Sequence, residues 1–137
     1  MPSQTLHGSC LCGSLKYTVT GTPAKFYHCH CSRCRKSSGT GHASNMFVDN
    51  GELSWTGDTD DIQLFKLPEA DRFSRSFCRH CGGPLPRFIP QLNVVMIPAG
   101  TLDDAPNISP QARIFLNSKA PWSCTGDKLP TFADYPA

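Results

Sequence analysis

Three thiols lie within six residues in Cys29-His30-Cys31-Ser32-Arg33-Cys34, and the basic pair Arg35-Lys36 follows directly. Three soft ligands at that spacing suit one zinc ion and leave its fourth tetrahedral position free, the arrangement of a catalytic rather than a closed structural site. Two further pairs exist: Cys10-Leu11-Cys12, followed by Gly13, and Cys78-Arg79-His80-Cys81, followed by Gly82. A pair plus a pair closes a four-sulfur site, whereas the triplet by itself stays open. That partition places Cys10, Cys12, Cys78 and Cys81 on a structural zinc and Cys29, Cys31 and Cys34 on a catalytic one, giving two zinc ions per chain. Spacing alone leaves other partitions open, such as Cys10 and Cys12 joining the triplet.

The remaining thiol, Cys124 beside Pro121-Trp122, reads as a small buried packing residue. Any of His28, His30, His42 and His80 would turn the triplet into a closed Cys₃His site. The alternative function is then a non-catalytic zinc-binding interaction module with both sites structural. His30 is the least suited, because in an extended stretch it points away from the cysteines on either side. Redox use of Cys78 and Cys81 lacks a surrounding βαβ pattern.

The ligands need elements to carry them. Cys10 and Cys12 read as extended, with both sulfurs on one side, and Gly13 permits a sharp turn whose amides face the thiolates. Leu15 to Thr20 alternates like a half-buried strand, and Gly21-Thr22-Pro23 breaks it. Phe26-Tyr27-His28 opens a second strand that delivers Cys29 and Cys31. Ser32 then reads as an N-cap, Arg33 to Ser38 as a helical turn, and Gly39 as its stop. Cys34 would sit in the first turn, where free amides and the helix dipole favour a thiolate and lower its pKa. Further strands are predicted at Ala43 to Val48, Leu53 to Trp55, Ile62 to Leu67, Arg72 to Phe77, Leu92 to Ile97 as a central strand, and Ala112 to Phe115. The tail from Ala120 to Pro136 reads as irregular chain packed over the core.

The 137 residues suffice for a single domain spanning 1–137, and 12 prolines with 11 glycines imply many turns and short strands. A formal charge of +2 is too small to mark a nucleic-acid or anionic membrane surface, so neither partner is expected. No apolar run approaches a membrane span, and the first residues lack the pattern of a secretory leader. A cytoplasmic location is expected, where clustered cysteines read as metal ligands rather than disulfides. Phosphate-binding glycine loops and serine-hydrolase elbows are missing.

Gly8-Ser9-Cys10-Leu11-Cys12-Gly13, the run from Cys29 to Gly39, Phe77-Cys78-x-x-Cys81-Gly82-x-Pro84-Leu85 and the late Pro121-Trp122 together resemble the glutathione-dependent formaldehyde-activating enzyme family, which includes centromere protein V. The resemblance covers nearly the whole chain in order. It implies a mainly β fold of several small coiled antiparallel sheets with one or two short helical turns, stapled by zinc, and the same partition of ligands. It also implies carbon–sulfur lyase activity, the reversible joining of formaldehyde to the thiol of glutathione. A thiol at the open position would become a thiolate near neutral pH and attack an aldehyde carbon. Arg33, Arg35 and Lys36 would offset the negative charge of the sulfurs, and Arg35 and Lys36 are the candidate contacts for a carboxylate-bearing thiol.

Overall fold

A computed structural model describes residues 2–136. Its spine is a long antiparallel hairpin of β2 (Lys16–Cys29) and β3 (Ala43–Thr56), paired from Lys16 opposite Thr56 to Cys29 opposite Ala43. One edge of β2 carries β1 (Gln4–Ser9) antiparallel and, farther along, β9 (Ala112–Ile114) parallel. The free edge of β3 carries β8 (Val94–Pro98) and then β7 (Arg87–Ile89). These six strands form the main sheet. A second sheet of three short strands is built from β4 (Ile62–Lys66), β5 (Ser74–Cys78) and β6 (Pro84–Leu85). The helix α1 (Ser32–Ser38) sits in the turn between β2 and β3. The protein is therefore mainly β with antiparallel sheets, as expected, the expected several sheets being one of six strands and one of three.

Several local expectations are revised. Gly21-Thr22-Pro23 does not end a strand: the β2/β3 register shifts between Thr20 and Thr22 and between Pro23 and Lys25, so bulges absorb the breaker residues and the strand continues. In the same way Ala43 to Trp55 is one strand rather than two. Cys10 to Cys12 is a turn rather than an extended segment, closed by Gly13 N–H donating to the Cys10 carbonyl at 3.1 Å, with Gly13 at φ +77°. The N-cap of α1 is Cys31, one residue before Ser32. The tail is irregular, but Trp122, Leu129, Phe132 and Tyr135 are exposed rather than packed over the core.

Strand alternation gives the main sheet two different faces. One buries Leu6, Tyr17, Val19, Met46, Val95 and Ile97 in the principal core. The other presents Asn45 and Phe47 of β3, Met96 of β8 and Arg87 of β7, and these floor a cavity of about 630 Å³. The three-stranded sheet has a smaller core, in which Leu15 and Leu85 pack with Cys10 and Cys78. No helix among the described residues is long and apolar enough to cross a membrane.

Candidate metal centres and the cavity beside them

The two groups of thiols converge as two clusters. The Sγ atoms of Cys10, Cys12, Cys78 and Cys81 all lie within 4.8 Å of one another, and so do those of Cys29, Cys31 and Cys34. In the first cluster Cys10 and Cys12 are 3.7 Å apart and Cys12 and Cys78 are 3.9 Å apart. Sulfurs placed tetrahedrally at a zinc–sulfur distance of about 2.3 Å would be separated by about 3.8 Å. The donor set thus fits a tetrahedral thiophilic ion.

Two glycine turns build that cluster. Gly82, at φ +72°, donates its N–H to the Cys78 carbonyl at 2.8 Å, matching Gly13 after Cys12. Gly83 N–H donates to Cys81 Sγ at 3.4 Å. The Cys78 turn is also held from outside, because His80 Nε2 is 2.9 Å from Asp61 and Arg79 N–H donates to the Asp61 carbonyl at 2.9 Å. His80 is therefore committed to a carboxylate. Burial opposes ionisation of Cys78, yet hydrogen bonds from Cys81 N–H, Ser14 Oγ and His80 N–H outweigh it and draw its pKa down to about 6.

In the second cluster Cys29 ends β2, Cys31 caps α1 and Cys34 lies in the first helical turn. Cys34 N–H donates to Cys31 Sγ at 3.3 Å, and Gly39 closes the helix at φ +71°. Burial again opposes a thiolate at Cys31, but that amide and the S–H groups of Cys34 and Cys29 lower its pKa. Cys34 behaves oppositely to the expectation from the helix terminus. Burial and the two neighbouring sulfurs drive its pKa strongly upward, since a second negative charge beside Cys31 outweighs the dipole. The three sulfurs thus compete to hold one negative charge, a repulsion that a cation bound among them would relieve.

Among the described residues, no histidine, carboxylate or further thiol joins the three-sulfur group. His30 is fully buried, with Nε2 3.4 Å from Arg113 Nε and Nδ1 3.4 Å from Ser123 Oγ. His28 stacks on His42 at 3.9 Å between ring centroids.

The sequence pattern of the glutathione-dependent formaldehyde-activating enzyme family matches residues 5–118. The chain belongs to this family. A curated Halomonas elongata protein, provisionally named a glutathione-dependent formaldehyde-activating enzyme, is 31% identical over 125 residues, covering 85% of this chain and 78% of its own. A crystal structure of a Rhodobacter sphaeroides protein matches the fold with a TM-score of 0.60 at 17% identity, covering 79% of this chain and 99% of that one.

Around residues that could hold a metal, the surroundings matter as much as the donor atoms themselves. Cys34 lines the 630 Å³ cavity, whose walls come from α1 and the second sheet and whose floor is the open face of the main sheet. Asn45 Nδ2 lies 3.9 Å from Cys34 Sγ. Arg35 and Lys36, the sequence candidates for substrate contact, do not line this cavity or the smaller one of about 340 Å³ beside it, and Lys36 is exposed. Two arginines that were not singled out, Arg75 and Arg87, do line the larger cavity, together with His42. The alternation around Arg75 was legible, but the short strand that carries Arg87 was not expected, nor was the face that would be covered. Cys124, expected to be buried, is exposed and lines the smaller cavity with His28, His42 and Arg113.

Proposed function

We propose that this protein is a carbon–sulfur lyase that reversibly joins a small aldehyde, formaldehyde or one like it, to a small thiol such as glutathione. The observation that carries the reading is the open three-sulfur group of Cys29, Cys31 and Cys34, one of whose members forms part of the wall of a ligand-sized cavity. Cys29, Cys31 and Cys34 would hold the catalytic zinc, and Cys10, Cys12, Cys78 and Cys81 a structural one. When bound at the open group, zinc supplies thiol activation, favouring the thiolate form of an incoming sulfhydryl near neutral pH.

The chain supplies the rest. The first turn of α1 and Asn45 direct N–H groups at the cysteine sulfurs and orient them. The cavity walls desolvate the incoming sulfur, which makes it a stronger nucleophile. As the carbon–sulfur bond forms, the carbonyl π electrons move to oxygen, and that oxygen takes up the proton the thiol gave away. His42 lines the cavity and its Nδ1 is buried without a partner, so it is placed to carry that proton. The reverse reaction returns the proton and releases aldehyde and thiol. A reducing, cytoplasmic setting belongs to the same proposal, supported by eight free thiols, seven of them in the two clusters.

X-ray absorption of the zinc-loaded protein with and without added thiol, beside NMR measurement of hemithioacetal exchange, tests the reading. The expected result is an added sulfur ligand and exchange faster than with metal-free protein. An unchanged shell of four protein ligands with no acceleration would return the chain to the interaction-module alternative.

A further inference from the structure

The cavity floor is one face of three adjacent strands, presenting Asn45 and Phe47 of β3, Met96 and Pro98 of β8, and Arg87 and Ile89 of β7. Phe47, Met96 and Arg87 lie in one row across the sheet. At a strand spacing of about 4.8 Å, the Arg87 backbone is roughly 10 Å from that of Phe47. Asn45, two residues from Phe47 on the same face, contacts Cys34. The floor thus runs from the open sulfur group at one end to a guanidinium at the other. An extended peptide spans roughly 3.5 Å per residue, so a peptide-sized thiol with its sulfur at the cysteine end extends along the floor toward Arg87.

The two arginines of the cavity are in different states. Arg75 is engaged, with Nε donating to the Ser37 carbonyl at 3.1 Å and Nη2 to the Gly82 carbonyl at 3.0 Å. Arg87 Nε is buried without a hydrogen-bond partner, and among the described residues no carboxylate pairs with it. The cavity lining contains no aspartate or glutamate. Arg87 as a whole is half-buried, and that burial also lowers its pKa, as it does for a partly desolvated cation without a paired anion. Burying an unpaired cation is costly, and a planar fork of donors matches a carboxylate in two parallel hydrogen bonds.

Resting on the lyase reading above, we infer that Arg87 is a specificity-determining residue that receives a carboxylate of the thiol substrate and selects anionic peptide-like thiols over small neutral ones. Arg75 serves the wall, and Arg35 and Lys36 are not needed for this contact.

The test is calorimetric binding of S-methylglutathione and of its diethyl ester to the zinc-loaded protein. Both probes lack a free thiol, so binding is separated from chemistry. Wild type is expected to bind the acid about 10- to 100-fold more tightly than the ester. Arg87→Gln is expected to lose that preference, while Arg87→Lys, which keeps the charge without the fork, retains part of it. Equal binding of acid and ester by wild type, no binding of the acid, or undiminished acid binding by folded Arg87→Gln would overturn the assignment. Should Arg87→Gln fail to fold by circular dichroism, the comparison of acid and ester on wild type still decides it. Catalysed exchange of formaldehyde with 2-mercaptoethanol by wild type tests the lyase reading separately, since that thiol has no carboxylate for Arg87 to hold.

Discussion

Replacing Cys81 by serine asks whether the four-sulfur cluster is what holds the small sheet. Ordering the twelve residues of β4, β5 and β6 costs roughly 12–24 kcal/mol of backbone entropy, at about 1–2 kcal/mol each. The two fully buried leucines of that core, Leu15 and Leu85, return about 1.5–3 kcal/mol apiece. Trp55 and Ile62 add only partial burial. The deficit is on the order of 10 kcal/mol, the size of a structural zinc's contribution of about 10–16 kcal/mol. Cys81→Ser is therefore expected to lower the unfolding free energy by about 5 kcal/mol or more and to leave the amides of β4, β5 and β6 unprotected.

Cys31→Ser is the matched control. It also removes a ligand, but serine is a favoured helix N-cap worth about 1 kcal/mol, so the bond from Cys34 N–H is replaced rather than lost. Urea unfolding, zinc content and hydrogen exchange on both variants make the comparison. Equal destabilisation of the two, or a Cys81→Ser protein as stable as wild type, would refute the division into a structural and an open centre.

Two other predictions concern parts of the fold that hold the site. Burial pushes the Tyr17 phenol up to about 12, against its 2.7 Å hydrogen bond with Thr101 and helped by the charge of Asp103. Because the native state keeps this proton above the unfolded pKa of about 10, the stabilisation is complete below pH 10 and is lost as pH rises toward 12, by up to roughly 2.7 kcal/mol. Urea midpoints across that range should fall more steeply for wild type than for Tyr17→Phe, and parallel curves would contradict the burial argument. Arg75 ties the helix carrying Cys34 to the turn after Cys81, and its guanidinium lies 5.0 Å from the centre of the Phe77 ring. Arg75→Met is expected to cost about 1–3 kcal/mol and to speed amide exchange in α1. Unchanged exchange there would show that the two cysteine clusters are not coupled through this side chain.

The cysteines were the legible part of the site because their information is local. Ligands separated by one or two residues converge through covalent geometry, and a glycine after the last ligand permits the positive φ seen at Gly13 and Gly82. Alternation in Leu15 to Thr20 likewise marked Leu15, Tyr17 and Val19 as the buried set. Gly21-Thr22-Pro23 misled because bulges accommodate breakers inside a strand whose partners continue on both sides. Arg35 and Lys36 follow Cys34 in sequence but lie along the helix away from the cavity lining.

The sequence alone thus pointed to the three short cysteine clusters, the mainly β class and, through several motifs in order, the family, while the structure showed which clusters meet. Only the tertiary structure decided the cavity. Its floor depends on the local pairing of β7 with β8 and on pairing β8 with β3, whose partners lie some fifty positions apart in sequence and whose register sets which face is covered. That pairing brings Arg87 into the row that leads to Cys34, and leaves it the unpaired cation there. Spacing along a chain can specify a metal's ligands, but the shape that selects a substrate arises only when distant strands meet.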